Sequence, residues 1–219
     1  MSFRAPMPAS GGNFAPTPAG NFVGRCYSLV DLGTQITKSG EFAGKANHKI
    51  RIGFELFVET EDGSPMTITI EGKELPLSIY KEYTLSMHEK STLRKELEAW
   101  RGKQFADDQE AVDFDITKLL GAYAMVNIAH RTYDNGKVTA NIANLSPLPS
   151  ALKNAKPTPI NKNVLFSLDA PDMELFSSFS EWLKGRISEA PEWNGKKHVA
   201  EQSENPGAGM TDPFDDTPF

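Results

Sequence analysis

His48-Lys49-Ile50-Arg51-Ile52-Gly53-Phe54-Glu55-Leu56-Phe57-Val58-Glu59 is the stretch with the clearest period in the chain. Ile50, Ile52, Phe54, Leu56 and Val58 fall on one side of it, and Lys49, Arg51, Gly53, Glu55 and Phe57 on the other. Side chains alternate across a β-strand, so this spacing predicts a strand with an apolar face turned to a core. Glu61-Asp62-Gly63-Ser64-Pro65 then reads as a turn.

Upstream, Phe22 to Val30 reads as a first strand, and Asp31-Leu32-Gly33 marks a bend. Downstream, Met66 to Ile70 is a short strand-like excursion. Ser78 to His88 is the third main strand, with Ile79, Tyr83, Leu85 and Met87 among its apolar members. The period then changes. Leu93, Leu97 and Trp100 sit at i, i+4 and i+7, one side of a helix that Ser91 or Thr92 can cap and Gly102 can end. Asp107 with Glu110 is a second cap, and this helical connection stops at Gly121. Strand character returns from Ala122 to Tyr133. Asp134-Asn135-Gly136 is a hairpin turn, because these residues tolerate positive φ, and Lys137 to Leu145 is the partner strand.

Three strands, a helical connection and a two-stranded hairpin follow the order of an OB-fold, a five-stranded Greek-key barrel. The expected class is mainly β with a helical insertion, a C-terminal helix and disordered tails. After Pro147 and Pro149, Val164 to Leu168 reads as a short strand. Asp172 can cap a helix whose Phe176, Phe179, Leu183 and Ile187 share a face. Packing of that face on the barrel is the simpler expectation, and a contact between copies of the chain is the alternative. The expected organisation is a flexible arm over 1–20, rich in Pro, Ala and Gly, a barrel domain with its C-terminal helix over 21–190, and a disordered acidic tail over 191–219.

The net charge is −6, which argues against a polyanionic partner until its distribution is considered. Glu201, Glu204, Asp212, Asp215 and Asp216 lie between Ala200 and Phe219 with no base among them, and the rest of the chain carries 24 acids against 23 bases. The acidity belongs to the tail, and such tails often serve interaction. Cys26 is the one cysteine, which excludes a disulfide framework within the chain and a cysteine-rich zinc site. His48, His88, His130 and His198 are scattered without metal-ligand spacing, and there is no phosphate-binding glycine loop. No catalytic residue, metal or cofactor is expected. The first twenty residues lack the apolar run of a signal peptide, and no stretch is long and apolar enough to span a bilayer, so the cytoplasm is the expected compartment and no membrane partner is expected.

Proteins that hold single strands need cations along the phosphate path and aromatic rings for bases, each stacked base contributing about 1–3 kcal/mol. The polar face of the central strand offers Lys49, Arg51 and Phe57, and the first strand offers Arg25 and Tyr27. The third strand adds Lys81 and Tyr83, although Tyr83 shares a face with Ile79, Leu85 and Met87. The hairpin adds Tyr123, Arg131 and Lys137. Singly, such residues are ordinarily solvated cations or core aromatics. Together they make a candidate single-stranded DNA surface.

Asp212-Pro213-Phe214-Asp215-Asp216-Thr217-Pro218-Phe219 closes the chain. A partner can bury Phe214 and the terminal ring of Phe219, pair its carboxylate with Arg or Lys, and meet Asp212, Asp215 and Asp216 with a basic rim. Pro213 and Pro218 keep the segment from forming a helix. It is similar to the C-terminal tip of bacterial single-stranded DNA-binding proteins, an acidic run closed by Ile-Pro-Phe, with Thr217 in place of Ile. In that family the tip docks on exonucleases, primase and helicases. A further resemblance rests on Pro18-Ala19-Gly20-Asn21-Phe22, Asp31-Leu32-Gly33-Thr34-Gln35, the run from Thr84 to Lys95, Trp100-Arg101-Gly102-Lys103 and the run from Phe114 to Gly121. From about Pro18 to Ile187 the chain resembles a widespread group of bacteriophage proteins, some of them OB-fold single-stranded DNA-binding proteins. The resemblance implies a phage protein of replication, recombination and repair. Such a protein coats exposed strands and recruits a polymerase, primase, helicase or exonuclease through its tip. The alternatives are a single-strand annealing mediator and an OB-like adaptor that binds protein without DNA.

Overall fold

The computed structural model describes residues 16–193 except 39, 42, 71 and 155. The acidic tip, including Asp212, Pro213, Phe214, Asp215, Asp216, Pro218 and Phe219, lies outside the described residues, as does most of the expected N-terminal arm. The architecture is mainly β, with short helices. Its strands are β1 (Gly20–Ile36), β2 (Ala46–Phe57), β3 (Thr67–Ile70), β4 (Lys73–Pro76), β5 (Ser78–Thr84), β6 (Tyr123–Thr132), β7 (Val138–Ser146) and β8 (Val164–Phe166). Its helices are α1 (Thr92–Arg101), α2 (Asp108–Val112), α3 (Ser150–Lys153), α4 (Met173–Ser177) and α5 (Glu181–Ser188), with a 3₁₀ turn over Ile116–Leu119.

Six strands form one sheet along the path β5-β2-β1-β6-β7, with β8 also paired to β1. β1 and β6 pair antiparallel, Arg25 opposite Tyr123, and β6 and β7 pair antiparallel with an irregularity at Asn127/Ile128. β5 and β7, at the two ends of the path, lie against each other. The Lys81 ammonium donates to the Ile142 carbonyl there at 3.2 Å. The chain divides into two compact units, one formed by Met1–Leu29 and Ile52–Val164, the other by Val30–Arg51 and Leu165–Phe219.

In the first unit the alternation read from β2 sets the core. Ile52, Phe54, Leu56 and Val58 are buried, and Phe54 meets the Trp100 ring at 5.3 Å between centroids. Leu93, Leu97 and Trp100 form the buried side of α1. The Ser91 hydroxyl accepts from the Arg94 amide at the helix start, and Gly102 ends it at φ +69. The Trp100 indole N–H donates to the Tyr123 carbonyl at 2.9 Å, joining the helix to β6. Cys26 is fully buried, and burial pushes its thiol up to about 12.

The second unit has an aromatic core. Phe166, Phe176, Phe179 and Trp193 pack ring on ring, with Phe176 and Trp193 at 4.4 Å. One helix was expected after Asp172, and two are present. Ser178-Phe179-Ser180 interrupts the run, and the Ser180 hydroxyl caps α5 by accepting from the Leu183 amide. The expected bend at Asp31-Leu32-Gly33 also differs, because β1 runs on to Ile36. Gly33 sits at φ +64, and a Cβ there would lie 2.6 Å from both the Ala190 Cβ and the Leu168 Cδ1. The hairpin of β3 with β4 extends the single excursion that was read from Met66 to Ile70.

A thiol held protonated and out of solvent does not react, because the thiolate is the nucleophile. Native protein at pH 8 is therefore expected to leave Cys26 unlabelled by an aromatic disulfide reagent, with full labelling in denaturant. Rapid stoichiometric labelling of the folded protein would contradict the packing around Cys26.

Candidate nucleic-acid interface

Arg25 and Glu55 lie on neighbouring strands and form a buried ion pair, 4% and 0% exposed at the side chain. Charges in such a place need their full complement of partners. The Glu55 carboxylate accepts from Arg25 Nε, from the Asn161 backbone N–H at 2.8 Å and from Asn161 Nδ2 at 2.9 Å. The rest of the guanidinium donates to Asn163 Oδ1 at 2.6 Å and to the Asn161 carbonyl. A segment far along the chain is thereby fastened over the centre of this sheet face. It is fastened again where the Tyr123 hydroxyl donates to the Pro157 carbonyl at 2.6 Å.

Aromatic side chains flank the pair. On one side the Tyr27 and Tyr80 hydroxyls are hydrogen-bonded to each other. Gly53 lies beneath Tyr80, where a Cβ would come within 2.6 Å of two ring carbons. The ring thus rests on bare backbone and keeps 38% of its surface exposed. On the other side Phe57 and Tyr123 stack, with centroids 6.2 Å apart and planes at 21°. Both are half-buried, and Lys156 Nζ lies 5.5 Å from the centre of the Tyr123 ring.

The expected contact residues therefore divide. Tyr27, Phe57 and Tyr123 share this face, but Tyr27 is buried with its hydroxyl on Tyr80, and Arg25 is consumed by Glu55 and the asparagines. Lys81 and Tyr83 take a different place from the one expected. They share the parity of buried Ile79, and both bond to Glu96 on α1. Burial and the Glu96 carboxylate push the Tyr83 phenol up, so it stays a neutral donor. Tyr80, one position away, is the β5 ring that reaches the surface. Arg131 and Lys137 are exposed on the β6–β7 hairpin, where Arg131 lies 5.0 Å from the Tyr133 ring centre.

Lys49 and Arg51 belong to the second unit and are half-buried. There the Arg51 guanidinium lies 5.4 Å from the ring centre of Trp182, which is 57% exposed. Among the described residues no group of three His, Cys, Asp or Glu is placed to hold a metal ion, and no helix is long and apolar enough to cross a membrane.

Sequence reasoning missed Tyr80, because Tyr80 and Tyr83 gave β5 an aromatic on each face. It missed Trp182 because that residue lies outside the apolar stripe of its helix. No family model matches the chain, and no curated protein or solved structure matches it either.

Removing one member of a buried pair leaves the other uncompensated, at a cost of about 3–5 kcal/mol. Glu55→Ala is expected to lower the urea-unfolding free energy by that amount. A loss below about 1 kcal/mol, as found for exposed pairs, would contradict the burial of this one.

Proposed function

We propose that this chain is a sequence-independent single-stranded DNA-binding protein of phage replication, recombination and repair. The observation that carries the reading is the sheet face of the first unit. Two aromatic stations, Tyr80 with Tyr27 and Phe57 with Tyr123, flank a fixed polar centre. Every base has a π-face, so such rings accept any sequence.

The strand path supports an OB-fold. The order β5-β2-β1-β6-β7, formed by the first three main strands and the hairpin, is consistent with that barrel. α1 falls between the third strand and the hairpin, and contact of β5 with β7 supports closure. The exposed hairpin with Arg131, Tyr133 and Lys137 matches a loop that OB-folds use on oligonucleotides.

Within this reading, binding is coating without chemistry. The phosphates meet cations, the bases stack, and no residue is assigned a catalytic role. The acidic tip recruits a primase, helicase or exonuclease, as its likeness to the bacterial tip implies, or a polymerase of the same replication machinery. Because residues 200–219 hold five of the six net negative charges, the rest of the chain is near neutral and can approach a polyanion.

Fluorescence anisotropy with labelled single-stranded and duplex oligonucleotides over a salt series tests the proposal. The expected result is a strong single-strand preference that weakens steeply with salt, from counterion release. Tyr80→Ala and Phe57→Ala are each expected to weaken binding about 5- to 150-fold, the equivalent of one stacked base. Absence of single-strand affinity at low salt would overturn the reading and favour an adaptor that binds protein alone.

A further inference from the structure

From Pro147 to Leu168 the chain carries three lysines, Lys153, Lys156 and Lys162, and no acidic residue. In a protein of net charge −6 this is a local excess of three positive charges. All three lysines are exposed, and all belong to the first unit. The segment is not simply a solvated loop. Its backbone and side chains are tied to the buried Arg25–Glu55 pair through Asn161 and Asn163, and to Tyr123 through the Pro157 carbonyl. Pro157 and Pro159 fix φ within it, which lowers the entropy lost on ordering.

We propose that this anchored strap is the phosphate-binding element of the single-strand site, with Lys153, Lys156 and Lys162 as its backbone contacts. The proposal rests on the single-strand reading above. Lys156 carries the placement, because its ammonium stands 5.5 Å from the centre of the Tyr123 ring, which stacks on Phe57. A base on that aromatic station has its phosphate within reach of Lys156. Lys162 adjoins Asn161, whose amide and side chain are held by Glu55, so its backbone position is set by the buried pair. The arrangement assigns the two halves of recognition to different parts of the unit, with stacking on the sheet and charge neutralisation on the strap. It also gives the Arg25–Glu55 pair a positioning role.

The test is the slope of log affinity against log salt for a labelled oligothymidylate, measured on the full chain. Each phosphate contact to a single strand contributes a slope of about −0.7. Changing Lys153, Lys156 and Lys162 to Gln together is expected to reduce the slope magnitude by about 2. The control triple Lys95→Gln, Lys103→Gln and Lys118→Gln, on exposed positions of the helical connection, removes equal charge and is expected to leave the slope nearly unchanged. Lys→Arg at the three strap positions keeps the charges and is expected to restore the wild-type slope. If the strap and control triples behave alike while the wild type binds, the strap proposal falls and the single-strand reading stands. If the wild type shows no single-strand affinity, both fall.

Discussion

The buried Arg25–Glu55 pair decides which distant segment lies over the sheet face of the first unit. Taking both charges out of water costs several kcal/mol each unless close partners compensate. Compensation here comes from far along the chain, with Asn161 lying 106 residues from Glu55. The pair thus cross-links β1 and β2 and fixes a strap over them. Hydrophobic burial cannot specify such a position, because it has no direction. Charge-assisted hydrogen bonds can, since their geometry is narrow. The strap's register over the sheet follows from which amides satisfy Glu55.

Around this centre Tyr80, Phe57 and Tyr123 stay partly open, while Tyr27 is buried beside Tyr80. Tyr80 lies on Gly53, where any side chain would lift the ring, and Phe57 leans on Tyr123. Both rings are already packed against protein, which in the proposed function lowers the ordering cost of binding. The charge distribution fits the same account. Cations are displayed on the strap and the hairpin, while most of the net negative charge is confined to the terminal residues. In the proposed function, one part of the chain is kept compatible with a polyanion and the other with a basic protein surface.

Much of the strand order was legible in the sequence, because period-two alternation in β2, the Ser91 and Asp107 caps and the Asp134-Asn135-Gly136 turn are local signals. The site was less legible, for two physical reasons. In β5, Lys81 reads as a surface cation, and only the fold brings Glu96 to neutralise it. Arg25 likewise reads as a contact residue, yet its partner Glu55 is 30 residues away. Alternation says which residues share a face; it does not say which faces a distant segment will cover. The break between α4 and α5 is a third case. Apolar spacing continues through Phe179, while the serine hydroxyls on either side favour a cap over another helical turn.

Photocrosslinking with an iodouracil-substituted single strand, followed by peptide mapping, addresses the central claim most directly. It reads which rings the bases touch. The account predicts adducts on Tyr80 and on Phe57 or Tyr123, suppressed by unlabelled single strands and not by duplex. Adducts confined to other residues, with none on these rings, would contradict the placement of the strand on this sheet face.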